Sequence, residues 1–373
     1  MDRNLIAIGL ISGTSADGID AVLVRTDGAG KPELLAFCEN PYPSEVRQEV
    51  LDLYSPGPNE IDRMGSLDKK LGELFAKAAL AVCSKAGMSP SEVDVIGSHG
   101  QTIRHRPPDF TLQIGNPAII SARTGIKTVA DFRQADMAQD GQGAPLAPLF
   151  HQVLFASSSE SVGVLNLGGI ANLTALSPTG ELLVAGDTGP ASSLLDLLVA
   201  KIHDGQEAEH LFDAGGEGAA GGEVDSLALS WLLTHPYFSQ PFPKSTGREV
   251  FGSDFLEEFL SIFPYLVNQD GLATLTMLTA ETVAMACREL LVHPSYRLVL
   301  CGGGEKNLTL VGMLREILPA AKIVSSQELG VDSNSLESQF FAWFAVRTLK
   351  GLTSSVPEAT GAKKAAVLGA IIS

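Results

Sequence analysis

Ile6-Ala-Ile-Gly-Leu-Ile-Ser-Gly-Thr-Ser-Ala-Asp-Gly-Ile-Asp20 reads as an apolar strand, a turn of glycine, hydroxyl and small residues, and the start of a second strand. The pattern returns at Val162-Gly-Val-Leu-Asn-Leu-Gly-Gly-Ile-Ala-Asn172, again with a strand-like run after it. Turns of this kind leave backbone N–H groups free to hold an anion. Two of them in one chain predict a duplicated fold that grips a polyphosphate twice.

Outward from the two turns, each half repeats one plan. Strands over residues 5–11, 21–24 and 33–38, with a turn at Asp27-Gly-Ala-Gly-Lys31, form an antiparallel meander. Helices are expected over 44–54 and 59–86, where Met64, Leu67, Leu71, Leu74 and Phe75 keep helical spacing. Short strands follow at 94–97 and 110–115, and Pro117 suits the first turn of a helix. In the second half the meander is 162–167, 173–176 and 181–185, followed by a helix from about Ser192. A glycine-rich loop is expected at 215–222 and a helix at 272–291. A buried strand at 296–301 and a late helix at 334–350 follow. The apolar run 365–372 is strand or helix, and its periodicity does not decide between them.

The fold class read from this pattern is α/β, with two duplicated domains and a ligand cleft between them. The Gly/Pro-rich run Gly141-Gln-Gly-Ala-Pro-Leu-Ala-Pro148 sets the expected boundary. The domains are then 1–140 and 141–373, with the last element free to return to the first.

Composition narrows the function. The 373 residues are 45% hydrophobic and 18% charged, as in a compact globular protein. A net charge of −17 argues against a nucleic-acid partner, whose phosphates call for Lys and Arg. No apolar run approaches the roughly 18 residues of a membrane span, and no signal-peptide layout opens the chain. Cys38, Cys83, Cys287 and Cys301 show no CxxC spacing and fit reduced thiols in the cytoplasm.

Seven stretches carry candidate chemistry. Gly13, Thr14, Ser15, Ala16, Asp17, Gly18, Ile19 and Asp20 combine close backbone approach, hydroxyl donors and two carboxylates able to hold magnesium through water. The bland alternative is an ordinary hairpin turn, and the GxxxxGK[ST] spacing of a Walker loop is absent. Gly168 and Gly169 form the counterpart turn. Asp187, in Gly-Asp-Thr-Gly-Pro190, is placed as a general base, or else caps the next turn. Gly302, Gly303 and Gly304 end a buried strand with a side-chain-free surface for a flat nucleoside. Ser98-His-Gly-Gln-Thr-Ile-Arg-His-Arg106 and Ala130-Asp-Phe-Arg133 could line a sugar or carboxylate pocket, with His105 and Arg106 on a solvated loop. Pro243-Lys-Ser-Thr-Gly-Arg248 offers Lys244, Ser245 and Arg248 to phosphate or substrate, or starts a solvated helix.

Taken in order, these blocks resemble the 1,6-anhydro-N-acetylmuramic acid kinase family of actin-like, hexokinase and Hsp70-type ATPases. The match also runs through Thr111–Gly115, Gly141–Pro145, Ala273–Thr276, Phe341–Trp343 and Val367–Ala370, so it spans essentially the whole chain. The resemblance implies actin-like (ribonuclease H-like) domains. It also implies an enzyme that uses ATP, with Mg2+, and water to open the anhydro bridge of a cell-wall recycling sugar and to phosphorylate the 6-oxygen. Asp187 matches the family's base, 13–20 its ATP segment, and His99 and Glu337 positions near the sugar, and Arg133 is kept as a further substrate-binding candidate from the Ala130–Arg133 block. The partners implied are ATP and a small sugar, with a homodimer left open. A plain sugar kinase and a non-catalytic sensor remain as alternatives. Two departures stand out: Ala16 replaces a usual leucine, and Ala191-Ser192 replaces a common Gly-Asn.

Overall fold

The computed structural model describes residues 3–203 and 212–373. They form two compact units. One runs to Leu154 and takes in Ser335–Ser373; the other is Phe155–Asn334.

The first unit is built on β1 (Leu5–Ser12), β2 (Gly18–Thr26), β3 (Glu33–Pro41), β4 (Val95–Arg106), β5 (Phe110–Ile114) and β6 (Thr128–Ala130). β1, β2 and β3 pair antiparallel as a meander, β4 lies parallel to β1, and β6 lies parallel to β4. The second unit repeats the plan with β7 (Ser161–Leu167), β8 (Ile170–Leu176), β9 (Leu182–Pro190), β10 (Tyr296–Cys301) and β11 (Ala321–Ser325). Here too a meander is followed by two parallel strands, in the order β11-β10-β7-β8-β9. Leaving β5 out as a hairpin arm on β4, both sheets share the order third-second-first-fourth-fifth, the duplication that the two turns announce. Both turns fall between the first and second strands of their sheets.

Alternation along β1 divides the first unit's core. Ile8 and Leu10 face the Glu60–Lys85 helix, with Leu67, Leu71, Phe75 and Val82. Ala7 and Ile11 face the opposite way, onto the Ser333–Leu349 helix. That second helix buries residues almost all round, as an interior helix does. Phe340, Phe341, Trp343 and Phe344 interlock with Phe132 and Phe150. Each such ring contributes roughly 1.5–3 kcal/mol by burial. Phe150 on Phe340 and Trp343 is also why residues just before Leu154 pack with this unit.

The helix seats directly on the sheet because Gly9 and Gly97 are paired neighbours without side chains. A Cβ at Gly97 would lie 2.1 Å from the Phe341 carbonyl oxygen. In the second unit the Gln269–Leu290 helix covers Leu165, Leu173, Leu298 and Leu300 through Ala280, Val283, Ala284 and Cys287.

Local expectations change at three places, and one left open is settled. The strand expected at 94–97 runs on to Arg106, because β5 supplies an antiparallel partner for the polar stretch. His105 and Arg106 therefore lie on a hairpin and not on a free loop. β9 extends through Asp187 to Pro190, with a register shift where it passes Ala171 and Asn172. The 215–222 loop contains a helical turn, Glu217–Ala220, whose first amides are held by Asp213. Of the apolar run 365–372, only β12 (Ala370–Ile372) is strand, pairing antiparallel with β6. No described helix is long and apolar enough to cross a membrane.

Candidate functional site

In the first unit the turn after β1 is tied down from below. Ser12 Oγ donates to Gln101 Oε1 at 2.6 Å, and Gln101 Nε2 donates to the Gly13 carbonyl at 3.0 Å and to Tyr54 Oη at 3.1 Å. Tyr54 in turn donates to the Thr14 carbonyl at 2.9 Å. Gly13, Thr14 and Ser15 are exposed, and the Thr14 and Ser15 amides have no acceptor among the described residues. Ala16 closes the turn on the Gly13 carbonyl with φ 54° and is fully buried. Of the two carboxylates, Asp17 meets Arg47 at 3.3 Å. Asp20, beyond Gly18 and Ile19 on β2, is raised from 3.8 to about 7 by burial, with repulsion from Glu39, Glu337 and Asp17.

His99, Arg133 and Glu337 come together in the same unit. Arg133 Nε donates to His99 Nε2 at 3.0 Å, so the His99 proton sits on Nδ1, which reaches the Gly100 carbonyl at 3.1 Å. Burial and the Arg133 charge hold His99 well below its usual pKa, hence neutral. Its ring rests on Phe341, 4.6 Å between centroids. Both ring nitrogens are engaged within the protein, so His99 orients Arg133. Phe132 anchors in the core and lets Arg133 emerge one residue later, with a second bond to the Gly143 carbonyl at 2.8 Å. Arg133 is lowered to about 10 by burial, against the pull of Glu337, and stays charged at neutral pH. Glu337 lies one helical turn before Phe341, on the face that meets His99. Glu337 is an exposed residue, and the protein packed around its carboxyl raises the pKa while the Arg133 charge lowers it.

In the second unit Asp187 is held from three sides. Its N–H donates to the Lys244 carbonyl at 2.8 Å, its carbonyl accepts from Tyr237 Oη at 2.7 Å, and Oδ2 accepts the Thr246 N–H at 2.9 Å. Oδ1 is left to act. Asp187 caps no helix: the following Ser192–Ile202 helix has no side-chain cap. Burial raises its carboxyl from 3.8 to about 7; the Thr246 N–H opposes this and Glu249 adds to it.

Gly168 and Gly169 turn their carbonyls onto the amides of Ala191, Ser192 and Ser193, while their own N–H groups have no acceptor among the described residues. Gly302, with φ +80°, packs where a Cβ would strike Asn166 Oδ1 at 2.6 Å, and Gly304 lies as close to Leu167. Gly303 faces open space. The triple glycine is therefore pressed against the strand that leads into Gly168. Lys244 turns away from this surface. It is 8% exposed, and its ammonium donates to the Tyr237 and Phe238 carbonyls and lies over the Tyr237 and Phe242 rings. It pins the segment that carries Thr246.

A pH dependence follows from Asp187. A base must be deprotonated, so kcat/KM is expected to fall on the acid side with an apparent pKa of about 7. Glu249→Gln moves that limb to lower pH by removing the repulsion. A limb near 4 in the wild type contradicts the assignment. Stability runs the other way: the raised carboxyls Asp20 and Asp187 favour the folded state fully below about pH 3.8, and that contribution is lost as pH rises through about 7.

Residues 5–373 match the family model described as anhydro-N-acetylmuramic acid kinase. The chain belongs to the anhydro-N-acetylmuramic acid kinase family. The protein of that name from Shewanella amazonensis is 43% identical over 366 residues, covering 97% of each chain. Its counterpart from Shewanella baltica is 44% identical over 370 residues, covering 98% of each. Among solved structures, a ROK hexokinase from Thermus thermophilus aligns over 92% of this chain and all of its own, with 15% identity and a TM-score of 0.38.

The two departures from the usual anhydro-N-acetylmuramic acid kinase pattern have a structural context. Ala191 and Ser192 meet the second turn through backbone N–H groups, which any residue supplies. Ala16 fills a fully buried position in a left-handed conformation that disfavours larger side chains. Tyr54 and Tyr237 carry no signal in the sequence as site residues; Gln101 and Thr246 lie within polar runs that the sequence marks, but their particular contacts to Gly13 and Asp187 do not show in it.

Proposed function

We propose that the chain is an ATP-dependent kinase that hydrolytically opens 1,6-anhydro-N-acetylmuramic acid and phosphorylates its 6-oxygen, giving N-acetylmuramic acid 6-phosphate for cell-wall recycling. The observation that carries the reaction is Asp187: one free carboxylate oxygen, held in place by its backbone and Oδ2, with a pKa near neutrality. The family match supplies the substrate class.

In this reading Asp187 takes a proton from the water that attacks C1. The C1–O6 bond breaks, and O6 bonds to the γ-phosphorus as the bond from that phosphorus to the bridging oxygen breaks and ADP leaves. A glycosidase needs a second carboxylic acid to protonate the leaving oxygen; here the phosphoryl group takes it. The residues expected to hold ATP are 13–20 in the first unit and Gly168, Gly169 and Gly302–Gly304 in the second. Open amides at both turns and the vacant surface over Gly303 support this. Arg133, oriented by His99, and Glu337 are the residues expected at the sugar.

Mg2+ is expected with the nucleotide. Asp20 would hold it through water: unlike Asp17 it makes no ion pair among the described residues, and it is crowded by like charge that a hard divalent cation relieves. Bound with the phosphates, the ion would neutralise charge developing on the transferred group. The enzyme works in the cytoplasm, where ATP is at hand.

The test is ADP formation with two sugars. The anhydro sugar should support turnover, and the ring-opened N-acetylmuramic acid should not. Equal turnover on both would make this a plain sugar kinase. No turnover beside tight binding would make it a sensor.

A further inference from the structure

The segment 244–248 holds two cations four residues apart with opposite destinations. Lys244 is buried and bound to carbonyls. Arg248 is exposed, and its guanidinium lies beside the second glycine turn: a Cβ built on Gly169 would be 3.9 Å from Nη2 and 4.0 Å from Nε. It forms no ion pair with any described residue. An arginine with no carboxylate partner, next to two amides with no acceptor, is a site for an anion.

The anion can be specified. Thr246, two residues earlier, donates its N–H to Asp187, and the glycine turn lies along the same pair of strands: Ile170 pairs with Pro190, and Asn172 with Asp187. An anion held by Arg248 and Gly169 thus lies on the strand pair that carries the base. In the reaction proposed above, the phosphoryl group nearest the base is the one transferred to O6.

We infer that Arg248 is a further catalytic residue, one whose guanidinium clamps the γ-phosphoryl oxygens during transfer. The inference rests on the ATP-kinase reading. It gives the Thr246–Arg248 segment two tasks, fixing the base through a backbone N–H and holding the transferred group through a side chain. A planar fork suits a phosphoryl group's oxygens better than an ammonium does, so lysine is a poor replacement.

The experiment compares wild type with Arg248→Met and Arg248→Lys, measuring kcat and affinities for ADP and for a β,γ-imido analogue of ATP. Arg248→Met should lower kcat by about 10³-fold or more. It should weaken the imido analogue by roughly tenfold or more while leaving ADP within about twofold, since a lost charge-assisted bond is worth that much. Arg248→Lys should recover only part of kcat. Added guanidinium should partly restore Arg248→Ala, which a merely structural role would not allow. Arg248 is exposed, so its truncation leaves no core cavity. If wild type binds neither nucleotide, the ATP reading itself falls. If wild type binds both and Arg248→Met keeps its kcat and its preference for the analogue, the Arg248 assignment falls and the ATP reading stands. An equal loss for ADP and analogue overturns the γ-phosphoryl assignment.

Discussion

Asp187→Asn lowers kcat by about 10²–10⁴-fold while leaving nucleotide affinity and folding in place. The size is what a positioned general base contributes. The selectivity comes from the contacts. The amide oxygen of asparagine can still accept the Thr246 N–H, and the backbone bonds to Lys244 and Tyr237 do not involve the side chain. The variant should be at least as stable as wild type above pH 7, because it removes a carboxylate whose ionisation burial opposes. Steady-state ADP release, titration with ADP and thermal melting at pH 8 check the three parts. Near-normal turnover would remove Asp187 from the chemistry.

Gly97→Val should abolish the fold of the first unit. The new Cβ meets the Phe341 carbonyl oxygen at 2.1 Å, its carbon at 2.8 Å and Ala345 Cβ at 3.0 Å. Two of these are helix backbone, which no rotamer change moves aside. The Ser333–Leu349 helix must lift off the sheet and take Phe341, Trp343 and Phe344 with it. Overpacking that moves only side chains costs about 1–3 kcal/mol; here several buried rings lose contact, so the cost exceeds about 3 kcal/mol. Insoluble protein or loss of the cooperative melt is the expected outcome. Gly303→Ala is the counterpart, since nothing lies within 4 Å of a Cβ there. Its stability should change by no more than about 0.5 kcal/mol, while KM for ATP rises if the nucleoside lies on that surface. A stable, active Gly97→Val would contradict the close helix–sheet contact.

The repeated meander was legible because hydrophobic alternation and turn chemistry are local. Both sheets follow from runs such as Ile6–Ser12 and Val162–Leu167 and the glycines after them. Asp187 was legible for the same reason, as a lone acid between glycines at a strand end. Its partners were not. Thr246 lies 59 residues away and acts through a backbone N–H, which no residue type announces. Lys244 and Arg248 look alike as cations on a polar run, yet aromatic rings and carbonyls claim one and leave the other exposed. His99 stood out as a histidine near polar groups; only its ring contacts reveal that it serves Arg133. The strand through Ser98–Arg106 was hidden because Gln101, Thr102 and His105 find their partners in the turn above and on the β5 hairpin strand, not in solvent.

The most direct measurement is turnover of ATP and anhydro-N-acetylmuramic acid in ¹⁸O-labelled water, with the product resolved by mass and fragmentation. The account predicts a product carrying both an added phosphate and an added water, with the label on the sugar's C1 oxygen and none in the phosphate. A phosphorylated product without added water, or with the label in its phosphate, would contradict it.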